Sequence, residues 1–522
     1  MGFKYFLCAT VFALSIHITH NANVVIVPLD GEGSHYRSVK SIAEELLNRG
    51  HNVTFLIDDR FEEIIKSSKD YQLFKYEIFP SNFTLNEWRD LLVSLTEAGL
   101  KGEYLQWIMD ILSTNYTDRQ VIDCDNLLGN VELIKRLKTY DLAVVDMTLN
   151  CPIMQYVGIP FVVFQPGAII AFGISLTNRF PFNLAYMPEF ATALDEVMTL
   201  PEKLKNTVIA SFFSFVLAAF ANPYDGLKAK YGLADISLYY TDAEMWFLAT
   251  DFALDFPRPF LPNTVPVGGL TTKPARTLDR DWEDFLQSAG DDGVVLFSMG
   301  SYATGIDEDI AALFAGAFAQ LPQKVIWKLN GKPSSTLTAN VKVVDWIPQN
   351  DLLAHPQIKV FVYHCGLNGI WEAVYHGVPM VAIPLFGDQF DNAQRLVSRG
   401  MGVKVDIATL TSDELAEAIR TVINNPSYKD NATRISSIFR DRSRTPAEEA
   451  ADWLEYVIRH GGAKHLRSAA LDLNIFQYFL LDVMAVLLVA FLTVFAILIC
   501  CCRLCFRGCR KVCGRTTKAK SE

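Results

Sequence analysis

A chain of 522 residues, half of them hydrophobic by type, can bury more than one core, which excludes a single small domain. Its formal net charge of -11, with no basic stretch before the last residues, excludes a nucleic-acid-binding role, which needs a cationic footprint.

The opening residues, MGFKYFLCATVFALSIHITHNA, carry one early lysine, an apolar stretch and then polar residues. That is the pattern of a secretory signal over residues 1–20, removed near residues 19–22. The mature chain is therefore expected in a lumen. Sequons at Asn52, Asn82, Asn115 and Asn431 agree, although Asn52 lies in HNVTFLI, a predicted buried strand that leaves no room for a glycan.

From Asn23 the sequence reads strand (NVVIVPL), loop (DGEGSHY), helix (RSVKSIAEELLNRG) and strand (HNVTFLI). Continuous β-branched runs joined by a helix predict a βαβ unit in a parallel sheet covered on both faces. DLAVVDM and GIPFVVFQ continue the series. Residues 172–255 are richer in Phe, Leu and Ala, and NTVIASFFSFVLAAFANPY predicts an apolar helix too short and interrupted to span a bilayer. It reads as core packing, a pocket wall or a membrane-surface contact. FPRPFLPNTVPVGGLTTKP is dense in Pro and Gly and marks residues 255–273 as a linker.

A second α/β series follows, with predicted strands GVVLFSMGS, KVIWKLNG, VKVVDWI, IKVFVYH and PMVAIPLF. Two doubly wound halves, residues 21–262 and 263–460, predict a cleft whose ligands sit outside the carboxyl ends of the strands. Residues 461–478 form a juxtamembrane segment and residues 479–502 a transmembrane helix, containing the uncharged run VMAVLLVAFLTVFAILICCC. In the tail, residues 503–522, seven Lys or Arg against one Glu predict a cytosolic location and a single-pass type I topology. The last residues, KAKSE, place lysines three and five positions from the end, as in a dilysine signal for the endoplasmic reticulum; a solvated basic tail reads them equally well. Cys124, Cys151 and Cys365 are left for the lumenal part, too few for a disulfide framework. Six cysteines at or beyond the membrane end sit where reversible acylation occurs, with metal binding as the alternative.

Chemistry-bearing residues collect at the predicted strand ends. In YHCGLNGIWEA, after IKVFV, His364, Gly366, Asn368 and Gly369 open a helix, combining a donor, close backbone approach and a positive dipole end suited to a diphosphate. A metal site from His364, Cys365 and His376 competes with this reading but lacks the paired spacing of zinc ligands. Ser298, Gly300 and Ser301 in SMGS offer hydroxyls and a glycine at the same edge, and a plain turn would look alike. Trp346 and Gln349 in DWIPQND offer an indole to stack on a planar base and an amide for its edge, while Asp388 and Gln389 in GDQFDN can hold sugar hydroxyls. In the first half, His35 begins a helix whose dipole is expected to favour the neutral imidazole of a general base, and Asp146 follows the strand LAVVD.

Residues 344–393, VDWIPQNDLLAHPQIKVFVYHCGLNGIWEAVYHGVPMVAIPLFGDQFDNA, resemble the signature region of the UDP-glycosyltransferases, specifically the animal UDP-glucuronosyltransferase group. The similarity extends through FPRPFLPNTVPVGGL, GVVLFSMGS, WLEYVIRHGGAKHLRSAALDLNIFQY and the apolar C-terminal run. The resemblance implies an α/β GT-B fold of two Rossmann-like domains facing a cleft, with a C-terminal transmembrane helix, the UDP-sugar held by the second half and the acceptor by the first. It implies that Trp346 stacks on uracil, Gln349 contacts the nucleoside and Glu372 accepts from ribose hydroxyls. By the same likeness His364, Asn368 and Ser298 serve the diphosphate, Asp388 and Gln389 the sugar, and His35 and Asp146 act as base and orienting carboxylate. Tyr363 stands where Thr or Ser is common, Cys365 where Gly is, and Ala249 near an arginine of glucuronate-using relatives, which weakens the expectation of glucuronate.

The implied activity is inverting transfer of a hexose or glucuronic acid from UDP-glucose or UDP-glucuronate, a co-substrate, to a hydroxyl of small lipophilic acceptors, as in detoxifying conjugation. No metal and no further cofactor is expected. The alternatives are a non-catalytic lumenal binding protein on the same fold and a dedicated lipid or sterol glycosyltransferase. Membrane lipid is an expected partner, homo- or hetero-oligomers are left open, and acceptor choice is expected at residues 83–112 and 172–220.

Overall fold

The structure is a computed structural model that describes residues 21–103, 116–148, 151–167, 171–233, 240–300, 306–331, 333 and 335–518. One compact unit ends at Arg467 and a second begins at Ser468.

The first sheet contains β1 (Asn23–Val27), β2 (Asn52–Asp58), β3 (Lys75–Phe79), β4 (Leu142–Asp146), β5 (Phe161–Gln165), β6 (Met245–Leu248) and β7 (Thr264–Pro266). Their order is β3-β2-β1-β4-β5-β6-β7, and every pairing is parallel. β4 and β5 are buried along their whole length, which is why they read as unbroken apolar runs. The chain steps from β1 outward to β2 and β3, then returns to lay β4 on the other side of β1. The strand order therefore reverses between β1 and β4, and a crevice opens there at the carboxyl ends.

The second sheet repeats this plan with β8 (Val294–Ser298), β9 (Lys324–Lys328), β10 (Val341–Val344), β11 (Ile358–Tyr363), β12 (Met380–Ala382) and β13 (Gly402–Lys404). Its order is β10-β9-β8-β11-β12-β13, again parallel, with the reversal between β8 and β11. β7 lies beyond residue 262, so the first sheet takes up part of the Pro- and Gly-rich connector.

The helices that matter for function are α1 (Gly33–Asn48), α2 (Leu85–Leu100), α3 (Tyr116–Gly129), α4 (Leu200–Ala221), α5 (Leu367–His376), α6 (Gln389–Ser398) and α7 (Pro446–His460). α7 starts at a capping box between Thr445 and Glu448 and packs back onto the first half. There Arg49 Nη1 donates to Asp452 Oδ1 at 2.7 Å, and the Ala463 N–H donates to Glu244 Oε2 at 2.6 Å. The two halves are also tied elsewhere: the backbone N–H groups of Ala191 and Ala193, both left-handed, donate to Asp391 on α6 at 2.7 and 2.9 Å. Such strained backbone persists only where surrounding contacts hold it.

In the second unit, α8 (Leu481–Lys518) contains a stretch, Leu481–Arg510, long and apolar enough to cross a membrane. The helix runs through residue 503 without a break, so no change of backbone marks the expected start of the tail. Residues 1–20, with the expected signal, and residues 519–522 lie outside the described residues. Of the sequons, Asn82 is exposed in a loop, whereas Asn431 sits inside a helix and donates its amide to the Gly400 carbonyl at 3.2 Å. Asn52 is exposed at the first position of β2, and Asn115 lies outside the described residues.

The cysteines correct one expectation. Cys124 on α3 and Cys151, just after β4, form a disulfide with a Cα–Cα distance of 5.5 Å. Three scattered thiols suggested no framework, but packing of α3 beside the end of β4 buries two of them together. The bond closes a span of 27 residues. Replacing both cysteines by alanine is expected to cost about 3 kcal/mol of stability, read as a lower thermal-unfolding midpoint of the full chain.

Candidate active site

A cavity of about 870 Å³ lies between the carboxyl ends of the two sheets, lined from one side by the β1–α1 region and from the other by the ends of β8 to β12. His35, the third residue of α1, lines it. Asp146, the last residue of β4, is fully buried, and its Oδ2 lies 2.9 Å from His35 Nδ1. The other oxygen, Oδ1, accepts from the Thr148 backbone N–H at 2.9 Å and from the Thr148 hydroxyl. With both oxygens held, the carboxylate fixes the ring through Nδ1 and leaves Nε2 for a substrate proton.

The charge state of this pair departs from the expectation of a neutral imidazole. Burial pushes the His35 pKa down, but the charge and hydrogen bond of Asp146, aided by Asp30 and Asp388, push it up further, to about 9. A full charge in direct contact outweighs the partial charge of a helix end. The resting imidazole is therefore protonated near neutrality and must shed that proton before serving as a base.

On the nucleotide side, Trp346 follows β10 and is 60% exposed, with Lys328 Nζ 4.9 Å and the Arg37 guanidinium 5.5 Å from its ring centroid. Gln349 Nε2 donates to Glu372 Oε2 at 2.7 Å, and burial pushes the Glu372 carboxyl up to about 7. Lys328 Nζ donates to the Gly300 carbonyl at 2.8 Å, and burial with Arg37 nearby lowers its pKa to about 8. Ser298, the last residue of β8, accepts from the Gly300 N–H at 3.3 Å. Burial, then the charge of Lys328, holds His364 neutral with a pKa of about 3.

Three expected roles change in detail. A Cβ on Gly300 would lie 2.6 Å, and one on Gly366 2.7 Å, from atoms of the His364 ring, while one on Gly369 would lie 2.4 Å from the Tyr363 ring. These glycines line the cleft, but the aromatic rings require their bareness whether or not a phosphate is near. Asn368 does not point freely at a phosphate: its Nδ2 donates to the Ser34 carbonyl at 3.1 Å and its Oδ1 accepts from the Ser38 hydroxyl at 3.3 Å, across the cleft on α1. Gln389 keeps only its NH₂ for a sugar, because its Oε1 accepts from the Leu385 and Phe386 N–H groups.

Asp388 lines the cleft, its pKa raised by burial, and accepts from Asn392 Nδ2 at 2.9 Å. Ser301 lies outside the described residues. Ala249 is buried in the core and does not line the cleft. Cys365 adopts φ +66, a left-handed conformation that glycine enters more readily than other residues.

The acceptor end also differs from expectation. A side cavity of about 70 Å³ shares Leu29, Asp30, Trp88 and Leu91 with the cleft. α2 and α3 and the Cys124–Cys151 pair wall it, and no described residue of 172–220 lines either space. α4 instead exposes Leu200, Leu204, Val208, Phe212 and Phe215 along one face. Sequence reasoning missed Asp30, Thr148, Arg37 and Lys328. Asp30 and Thr148 stand a few residues from His35 and Asp146, and that proximity was the only signal.

Two facing doubly wound halves, one presenting an imidazole–carboxylate pair and the other a base platform and phosphate cradle, define a glycosyltransferase of the GT-B type. The family model described as UDP-glucoronosyl and UDP-glucosyl transferase matches residues 22–516. Human UDP-glucuronosyltransferase 2A2 is 38% identical, with 96% of this chain and 95% of the relative covered. Human UDP-glucuronosyltransferase 2B17 is 35% identical over 97% and 98%. The chain belongs to this UDP-glycosyltransferase family, and as an enzyme it transfers a glycosyl group from a UDP-sugar. Among solved structures, a UDP-glucosyltransferase from Polygonum tinctorium shares the fold at a TM-score of 0.57 and 18% identity, covering 84% of this chain and 98% of that one. Os79 from O. sativa does so at 0.59 and 17%, covering 83% and 100%.

The raised His35 pKa sets a pH dependence. Because Asp146 stabilises the charged ring, the active neutral form grows with pH, so kcat/KM should rise about tenfold per unit through the neutral range and level near pH 9. Asp146→Asn removes the charge, which should move this limb to lower pH while lowering the plateau. A rate profile flat through the neutral range would contradict the assignment.

Proposed function

We propose that this enzyme transfers an uncharged hexose, glucose in the first instance, from its UDP donor to a hydroxyl of small, largely apolar acceptors with inversion at the anomeric carbon. The observation that carries the donor choice is the distribution of charge along the cleft. Its cations gather at the nucleotide end: Arg37 and Lys328 flank Trp346, and Lys273 acts on Glu372. Lys40 and Arg276 also line the cleft but are engaged by Asp70 and Asp351. Around Asp388 and Gln389 the cleft presents His35 and the carboxyl of Asp30, with Asp146 buried behind the imidazole, and no lining arginine or lysine among the described residues is directed there. A glucuronate carboxylate would meet the carboxyls of Asp30 and Asp388 there, the His35 charge is already engaged by Asp146, and Ala249 offers no guanidinium to pair it.

In the proposed mechanism, His35 Nε2 takes the acceptor proton as the acceptor oxygen bonds to the anomeric carbon and the bond from that carbon to the diphosphate oxygen breaks. Asp146 steadies the resulting imidazolium. Charge arriving on the UDP is met by Lys328, by the N-terminus of α5 and by the Ser298 hydroxyl, groups already in place before reaction. The acceptor body occupies the cavity walled by α2 and α3.

The apolar helix within α8 is a membrane anchor for the catalytic unit in this reading, which sets the domains in the lumen of the endoplasmic reticulum, with Asn82 the best-placed glycan acceptor. Apolar acceptors partition into the same membrane, which favours conjugation of lipophilic compounds over a binding role without chemistry. A pure binder has no use for the His35–Asp146 pair.

With one phenolic acceptor and microsomes carrying the full chain, UDP-glucose should exceed UDP-glucuronate in kcat/KM by about tenfold or more, the scale of one unpaired like-charge contact. A preference for UDP-glucuronate would overturn the donor assignment. Separately, His35→Ala should cut turnover by roughly a hundredfold or more, and near-normal turnover would remove the base from the mechanism.

A further inference from the structure

Asp30 lies on the loop between β1 and α1 and is only 7% exposed, yet its Oδ1 has no hydrogen-bond partner among the described residues. It is one of the few residues that line both the donor cleft and the side cavity, so it stands at the neck through which an acceptor must present its hydroxyl. The loop is pressed down at that point: a Cβ on Gly31 would lie 2.5 Å from the Phe61 side chain, which leaves Asp30 little freedom to swing away. The neighbouring cation does not satisfy it. Arg60 directs Nε and Nη2 to Asp58 at 2.7 and 2.8 Å and shares Nη2 with Asp123 at 3.5 Å. The strongest charge acting on Asp30 is that of His35, the base.

A buried acceptor atom that stays unpaired is destabilising, and a site built to hydrogen-bond a substrate group discriminates strongly against analogues that lack it. An acceptor with its nucleophilic hydroxyl at His35 Nε2 and its ring in the side cavity carries its ortho position past Asp30. We propose that Asp30 is a specificity-determining residue that selects acceptors bearing a second hydrogen-bond donor beside the nucleophilic hydroxyl, with ortho-dihydroxyarenes as the simplest class. The second hydroxyl donates to Oδ1 while the first gives its proton to His35. A monohydroxy ring leaves Oδ1 unpaired. Burial pushes the Asp30 carboxyl up to about 7, so a mildly alkaline medium presents the accepting form.

This inference rests on His35 as the base and on the side cavity as the acceptor site, and the test separates the two. With the full chain in microsomal membranes, kcat/KM is measured for catechol and for guaiacol, in which a methyl group removes the second donor. The wild type should favour catechol by about tenfold or more, the discrimination expected of one buried hydrogen bond. Asp30→Ala should lower the value for catechol more than for guaiacol and so abolish the preference. Asp30→Asn, which keeps the shape and an oxygen but not the charge, should reduce the preference several-fold, so the question stays answerable if the alanine variant folds poorly. A ratio unchanged in Asp30→Asn, or both acceptors falling by one factor in both variants, would overturn the inference. Guaiacol turnover that survives His35→Ala would instead sink the base assignment and leave the Asp30 ratio standing on its own.

Discussion

The contact between His35 Nδ1 and Asp146 Oδ2, at 2.9 Å, is the interaction on which the working arrangement depends. It joins the first turn of α1 to the end of β4, the two elements on either side of the point where the first sheet reverses its strand order. Parallel pairing of β1 with β4 brings Val27 beside Val145, so Asp146 comes off the sheet where α1 begins. The pair is thus a product of backbone register before it is a product of side chains. Its ionic character arises in spite of burial, from direct contact: Asp146 is fully enclosed and has Thr148 on one oxygen, which leaves the imidazole to satisfy the other.

The same topology builds the opposite wall. Tyr363 at the end of β11 pairs in register with Ser298 at the end of β8, so the β8 loop and the start of α5 emerge side by side. His364 is wedged between them, with Gly300 and Gly366 pressed against its ring. An imidazole in that position resists a second proton, so it lines the cleft as a neutral group while Lys328 carries the charge beside it. The histidines on the two walls therefore differ in kind. The one beside carboxylates is cationic at rest, and the one beside a lysine is neutral.

Much of this was legible in the sequence because it rests on patterns that local chemistry enforces. Unbroken apolar runs such as LAVVD and IKVFV mark buried parallel strands, and residues placed just after them fall at the carboxyl edge without any knowledge of the third dimension. His35, Asp146, Ser298, Trp346, His364, Asp388 and Gln389 all line or support the cleft for that reason. What depends on pairing across distance was not legible. The Cys124–Cys151 bond needs α3 packed beside the end of β4, and the Asn368 contacts to Ser34 and Ser38 need the two halves face to face. The charge of His35 was misjudged because Asp146, although expected as its partner, acts in a buried contact at 2.9 Å and is joined by Asp30 and Asp388, whose closeness only the fold shows. Residues 172–220 were expected at the acceptor site on their apolar character, which marks a surface to be covered but not by what.

The cross-cleft hydrogen bonds of Asn368 bear on how a donor is received. Asn368 is the second residue of α5, the helix whose N-terminus faces the phosphate site, and its partners Ser34 and Ser38 bracket the base on α1. The asparagine amide is thus already engaged at the helix start, and its two contacts tie α5 to the helix that carries His35. Lys328, Ser298 and Trp346 line the same cleft without reaching across it to α1 by a hydrogen bond among the described residues. The ties at α7 and at Asp391 lie on other elements, so the halves are joined at separate places, and of these three the Asn368 contact is the one within the cleft.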